Sequence, residues 1–302
     1  MKPLHFDMTP LAEALEMPKQ PTNTPAPKRE TKATPPPVAP IAKNTANQAE
    51  KKAKAKPAPK KAAPKKNAVS KPTKAVYPRS IADTTSWLSN LAKEQIHALA
   101  THTLARHTEK GLRTLAVTSS LAGEGKTTVS LALADKLAAA GKRVLIIDLD
   151  THRGTLSAQA NLAAVSGAME SCAKANGKPI TFHSYETDRE GVSIMPTGQI
   201  DMVDGAPVLN PERIQALVQR ALEQNDIVIL DCPPLLPVAD THVIGEIADS
   251  AILVVRAGAT PRDVLEQALK EFGKDKFFAA ILNRAKPHHI PYFREVYGYY
   301  RR

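Results

Sequence analysis

Apolar residues along this chain fall into short blocks that alternate between two periods. Leu88, Leu91, Ile96, Leu99 and Leu104 recur at near-helical spacing and predict a helix within residues 86–106. After it, β-like runs and helix-like runs take turns. Strands are predicted at 112–119, 143–148, 226–231, 250–255 and 277–282, and helices at 127–140, 211–223, 240–247 and 261–272. The strands Val144–Ile147, Ile227–Leu230 and Ile252–Val255 are unbroken apolar runs. Unbroken runs mean burial on both faces, whereas a half-exposed strand alternates. The pattern therefore predicts an α/β domain, with a mostly parallel sheet flanked by helices on both faces. Residues 154–200 are less regular and give no clear element.

One strand–helix junction carries a chemical pattern. The strand at 112–119 runs into Ser120-Leu121-Ala122-Gly123-Glu124-Gly125-Lys126-Thr127-Thr128, where the predicted helix opens. The phosphate-loop pattern is G-x-x-x-x-G-K-[ST]; here Ser120 stands at the first glycine position and the rest fits. Gly123 and Gly125 let the backbone approach a phosphate, and the helix start adds the positive end of its dipole. Lys126 can reach terminal phosphates, and the Thr127 hydroxyl can ligate Mg²⁺. A lone glycine turn before a helix would be weak evidence; the strand–loop–helix context makes it strong.

Acids follow two other strands. Asp148 and Asp150 follow 144–147, and Asp231 follows 227–230. A single Asp after a strand is usually a turn or cap residue. In an open parallel sheet, however, ligands bind beyond the carboxyl ends of the strands. Three acids placed there with a phosphate loop predict one Mg-nucleotide site, in which Mg²⁺ takes one or two carboxylates and leaves another as a base. Asn283 and Arg284 follow the last strand, where an Asn amide could meet an adenine edge or simply form a turn.

Composition divides the chain. Residues 1–80 hold 17 Lys and Arg against 5 Asp and Glu, 15 of the 25 prolines, and no glycine. The basic balance, +11 over the 302 residues, belongs to that quarter. Residues 1–79 have too few large apolar side chains to offset the entropy of ordering, so a disordered tail is expected before a domain over 80–286. Such a tail is a solvated linker or an anchor to an anionic membrane surface. It lacks the interleaved aromatics that stack on single-stranded nucleic acid, which argues against a nucleic-acid partner. Two cysteines, Cys172 and Cys232, cannot form a disulfide framework. There is no membrane-length apolar run and no signal-peptide core, so a cytoplasmic protein is expected, held at a membrane only through a partner.

The ordered set of motifs resembles the bacterial protein-tyrosine kinases (BY-kinases) of capsule and exopolysaccharide systems, in the MinD/ParA-like branch of P-loop proteins. The segments that carry the resemblance are Thr118–Thr127, Val144–Arg153, Ile227–Pro234 with Val238-Ala239-Asp240, Ile252–Arg256, Ile281–Arg284 and a tyrosine-rich end. It covers about residues 85–302. The resemblance implies ATP as phosphate donor, and Tyr292, Tyr297, Tyr299 and Tyr300 of a neighbouring subunit as acceptors, in a flexible tail over 287–302. Those tyrosines trail the last strand by a tether of up to about 60 Å. It also implies Lys126, Asp148 and Asp150 as catalytic residues, with Asp148 accepting the tyrosine proton. Nucleotide binding falls to residues 120–128 with Asn283 and Arg284. Thr127, Asp150 and Asp231 fall around Mg²⁺.

The family further implies a membrane-spanning activator, here a separate protein, and assembly with other copies of the chain. Against assembly, the family's E-x-x-R-x-x-R helix is matched only by Glu94, His97 and Ala100, and its D-x-D-x-R-R-P by Asp148–Gly154 with one Arg lost. Two alternatives therefore stand beside the kinase. One is a dimerising switch ATPase, which would carry a Lys where this chain has Leu121. The other is a degenerate nucleotide-binding regulator of polysaccharide export.

Overall fold

A computed structural model of the chain describes residues 73–74, 88–173, 180–199, 210–236 and 240–285. The expected tail, apart from residues 73–74, and the expected acceptor tyrosines lie outside the described residues.

Eight described strands form one sheet in the order β1 (Thr73–Lys74), β4 (Tyr185–Glu186), β5 (Val192–Met195), β3 (Val144–Asp148), β6 (Ile227–Asp231), β2 (Thr114–Ser119), β7 (Ser250–Arg256) and β8 (Phe277–Asn283). Every pair is parallel except β4 with β5. The helices are α1 (Asn90–Lys110), α2 (Lys126–Ala139), α3 (Thr155–Gln159), α4 (Ala168–Ala173), α5 (Pro211–Leu222), α6 (Asp240–Ile247) and α7 (Arg262–Phe272). The predicted elements fall within a few residues of these bounds. The irregular stretch 154–200 contributes α3, α4, β4 and β5. The predicted first helix starts at Asn90, where the Ser89 side chain accepts the Ala92 N–H, and runs four residues further than expected, to Gly111 in the left-handed region at φ 69°.

The unbroken apolar strands are sandwiched as their pattern requires. Ile146, Ile227, Ile229, Ile252 and Val254 pack with α1 and α2 through Ile96, Leu99, Leu131 and Leu137. Their neighbours in the chain, Leu145, Ile147, Val228, Leu230, Leu253 and Val255, face the other way. They pack with Ile214, Leu217, Ile244, Leu265 and Phe272 of α5, α6 and α7. Each side chain buried in this way contributes on the order of 1.5–3 kcal/mol.

This topology puts β2 between β6 and β7, so the chain leaves β2 and returns in β3 two strands away. The carboxyl ends of β2, β3, β6, β7 and β8 lie along one edge of the sheet. That edge is where the singled-out residues end up.

Candidate nucleotide site

The phosphate loop closes β2 and opens α2. Gly123 and Gly125 have φ of 80° and 106°, in the left-handed region that only glycine occupies without strain. Gly125 is also the N-cap of α2, with no side-chain cap bond and no acid in the first turn. By contrast, the side chains of Ser89 and Asn210 cap α1 and α5. The first amides of α2 are thus left to a ligand, with the helix dipole favouring an anion. Ala122 and Gly123 are exposed at the mouth of the loop, while Lys126 and Thr127 are buried beneath it.

The acids come in from the neighbouring strands. Thr127 Oγ1 donates to Asp231 Oδ2 at 2.6 Å, and Ser130 Oγ donates to Oδ1 at 3.1 Å. Asp148 and Asp231 are register partners on β3 and β6. Burial and then the Asp148 charge push Asp231 up to about 7, against the pull of Thr127, Lys126 and Ser130. Asp148 is fully buried. Its Oδ2 accepts both the N–H of Ser157 at 2.8 Å and the hydroxyl at 2.6 Å, and its Oδ1 accepts the Asp150 N–H at 3.1 Å. Burial holds it above the usual carboxylate range, and the Ser157 and Asp150 bonds oppose that rise. Thr197 N–H donates to Ser157 Oγ at 2.9 Å, so the serine proton remains free for Asp148. Asp150 Oδ2 lies 4.0 Å from Lys126 Nζ, and its Oδ1 accepts the Arg153 N–H at 3.1 Å.

The Lys126 ammonium thus acts on Asp150 and Asp231, and Asp148 lies beside Asp231. Burial makes Asp148 and Asp231 more basic than usual, and for Asp231 the neighbouring Asp148 charge adds to it. No group of three or more His, Cys, Asp or Glu among the described residues forms a metal cage. A Mg-nucleotide needs none, because Mg²⁺ takes one or two carboxylates and fills its other positions with phosphate and water. The donor set fits.

From β8, Asn283 reaches the loop rather than standing apart. Its Nδ2 donates to Glu124 O at 2.8 Å, and its Oδ1 accepts the Arg284 N–H at 2.9 Å. A Cβ on Gly125 would collide with Nδ2. Arg284 is exposed, with φ 56°. Sequence reasoning missed Ser130, Ser157 and Thr197. Ser130 was within reach, since it lies three residues beyond Thr127 on the same helix face. Ser157 and Thr197 sit in the irregular stretch and carry no local signal. Cys172 and Cys232 are free and buried, and burial pushes the Cys172 thiol up to about 11.

A family profile described as an AAA domain (AAA_31) matches residues 112–275. The tyrosine-protein kinase CpsD of Streptococcus pneumoniae serotype 4 is 30% identical over 198 residues, which cover 64% of this chain and 84% of that protein. The chain belongs to this family of bacterial tyrosine-protein kinases. A second relative in the family, the tyrosine-protein kinase YwqD of Bacillus subtilis (strain 168), is 28% identical over 213 residues, covering 70% of this chain and 87% of its own. Among solved structures, the BceF tyrosine kinase domain aligns with a TM-score of 0.52 and 27% identity over 68% of this chain and 81% of that one. The kinase domain of Escherichia coli tyrosine kinase ETK shares the fold, with a TM-score of 0.57, 23% identity, and coverage of 70% and 84%. The fold is that of a P-loop nucleotide-binding protein, as the unbroken apolar strands and the loop pattern had predicted.

Proposed function

We propose that the protein is an ATP-dependent tyrosine kinase. In this reading it regulates capsule or exopolysaccharide synthesis and export by phosphorylating Tyr292, Tyr297, Tyr299 and Tyr300 of another copy of itself. One observation carries the reading: Thr127 bonds Asp231 at 2.6 Å while Lys126 faces Asp150, at the uncapped start of α2. That constellation suits a triphosphate, and its kinship is with tyrosine kinases.

In this reading Lys126 and the open amides of residues 122–128 carry the phosphate charge. Thr127, Asp150 and Asp231 hold Mg²⁺, which when bound neutralises charge on the phosphate oxygens. Asn283 spends one amide proton on the loop, leaving its other proton and Arg284 for the base end of the nucleotide. Asp148 takes the tyrosine proton at Oδ1, which accepts one bond, from the Asp150 N–H, whereas Oδ2 already accepts two from Ser157. A tyrosine hydroxyl has an ordinary pKa near 10 and a carboxylate one near 4. Burial narrows that gap by raising Asp148. Each product tyrosine carries about −1.5 to −2 charge and is repelled by the acids that remain.

A separate membrane-spanning activator fits this reading, with the basic tail as a contact to it or to anionic lipid. That would hold the protein at the inner face of the plasma membrane. Among the described residues no helix is long and apolar enough to cross a membrane. On α1, Glu94 and His97 are exposed and Ala100 is buried, so self-association through that helix would proceed without the family's arginine pair. The test is transfer of labelled phosphate from Mg-ATP to a peptide of residues 287–302. Wild type labels its tyrosines and Lys126→Ala does not; no label from wild type that binds ATP contradicts the reading.

A further inference from the structure

A carboxylate inside an anion-binding loop works against the loop, because ATP brings several negative charges to the same amides. Glu124 nevertheless stands there, with only 3% of its surface exposed. Both of its oxygens are engaged. Oε2 accepts the Leu121 N–H at 2.9 Å. Oε1 accepts the Thr260 hydroxyl and lies 3.4 Å from the Arg256 N. Thr260 in turn accepts the Arg256 N–H at 3.1 Å. Leu121 belongs to the first turn of the loop, Arg256 ends β7, and Thr260 directly precedes the N-cap of α7.

The main chain of the same residue is gripped from the next strand. Glu124 O accepts Asn283 Nδ2, and Asn283 is the register partner of Arg256. The side chain and carbonyl of Glu124 are therefore fastened to the ends of two adjacent strands, β7 and β8. The loop needs such fastening. It has glycines at positions 123 and 125, and an unfastened glycine loop must be ordered at the expense of whatever binds it. A loop already shaped binds more tightly for the same contacts.

We infer that Glu124 is a positioning residue: by joining the Leu121 amide to the Thr260 hydroxyl it holds the phosphate loop in its binding shape before nucleotide arrives. Its carboxylate oxygens are both engaged by the protein, so only its backbone amide is left for phosphate. The inference rests on the nucleotide-binding part of the proposed function and is independent of what receives the phosphate.

The test is titration calorimetry of Mg-ATP into the purified full chain, with a thermal unfolding curve for each variant. Glu124→Ala weakens ATP binding about tenfold or more, the fold-change of one lost hydrogen bond to a charged group. Glu124→Gln binds as tightly as wild type or more so, because its oxygen still accepts the Leu121 amide, its NH₂ meets Thr260, and the opposing charge is gone. Thr260→Val follows Glu124→Ala, and Thr260→Ser recovers the affinity. The double variant Glu124→Ala/Thr260→Val is no weaker than Glu124→Ala alone, because both break one linkage.

A merely structural role would lower the unfolding temperature and leave the affinity of the folded protein unchanged. Wild-type affinity in folded Glu124→Ala or Thr260→Val overturns the inference, as does additivity in the double variant. Should Glu124→Ala not fold, Glu124→Gln and Thr260→Val decide it. Wild type that binds ATP but labels no tyrosine overturns the kinase reading alone; wild type that binds no nucleotide overturns both.

Discussion

The Thr127 hydroxyl donates to Asp231 Oδ2 at 2.6 Å, joining the first turn of α2 to the end of β6. The two residues are 104 positions apart in the chain, and parallel pairing of β2 with β6 brings them together. The bond has an electrostatic consequence. Asp231 is buried beside Asp148, and without added positive charge it keeps a proton up to about pH 7. Were a cation held there with a nucleotide, as proposed, Asp231 and the Thr127 hydroxyl are the groups that would hold it, and its charge would favour loss of that proton.

Lys126→Ala removes the ammonium that lies 4.0 Å from Asp150. ATP affinity is expected to fall about 100-fold, the scale of losing a preorganised charge at a phosphate site. Calorimetric titration on folded protein checks this, and a change below threefold would contradict the assignment.

The raised Asp231 gives stability a definite pH slope. Its folded value of about 7 lies above the ordinary carboxylate value, so the folded state holds the proton more firmly than the unfolded state. Its contribution to stability is full below about pH 4 and is lost as pH rises through about 7. Asp231→Asn, which cannot ionise, should match wild type in unfolding temperature at about pH 4 and exceed it increasingly as pH rises to about 7. Mg-ATP binding by wild type should release a proton at pH 6. Parallel melting curves for the two proteins across that range would refute the assignment.

Gly125→Ala places a methyl group against Asn283 at a backbone φ of 106°. The loop must shift or the strain must be borne, at about 1–3 kcal/mol. ATP binding should be lost while far-ultraviolet circular dichroism stays native; full binding by this variant would show that Asn283 does not sit against the loop.

Away from the site, Leu217→Ala empties a fully buried position between α5 and the sheet. It should cost about 2–5 kcal/mol in denaturant unfolding. ATP affinity of the folded fraction should be unchanged, which separates the core from the site.

The sheet was legible because its strands are unbroken apolar runs. Val144–Ile147 and Ile227–Leu230 announce burial on both faces, and the structure covers both. The phosphate loop was legible because a local pattern encodes it. Val192–Met195 was not, since four residues after an irregular stretch carry too little periodicity, and their pairing with β3 is long-range. The partners of the acids were hidden for the same reason. Ser157 meets Asp148 across nine residues of irregular chain, and Thr260 meets Glu124 across 136. A sequence shows which residues have the chemistry; only the fold shows how their oxygens are engaged, as with the single bond on Oδ1 and the two on Oδ2 of Asp148.

Phosphate-site mapping by mass spectrometry tests the central claim most directly, on the chain isolated from its own cells, where any activator is present. Wild type should carry phosphate on one or more of Tyr292, Tyr297, Tyr299 and Tyr300, and the Lys126→Ala chain on none. Unmodified tail tyrosines in the wild-type chain, or equal modification in both, would contradict it.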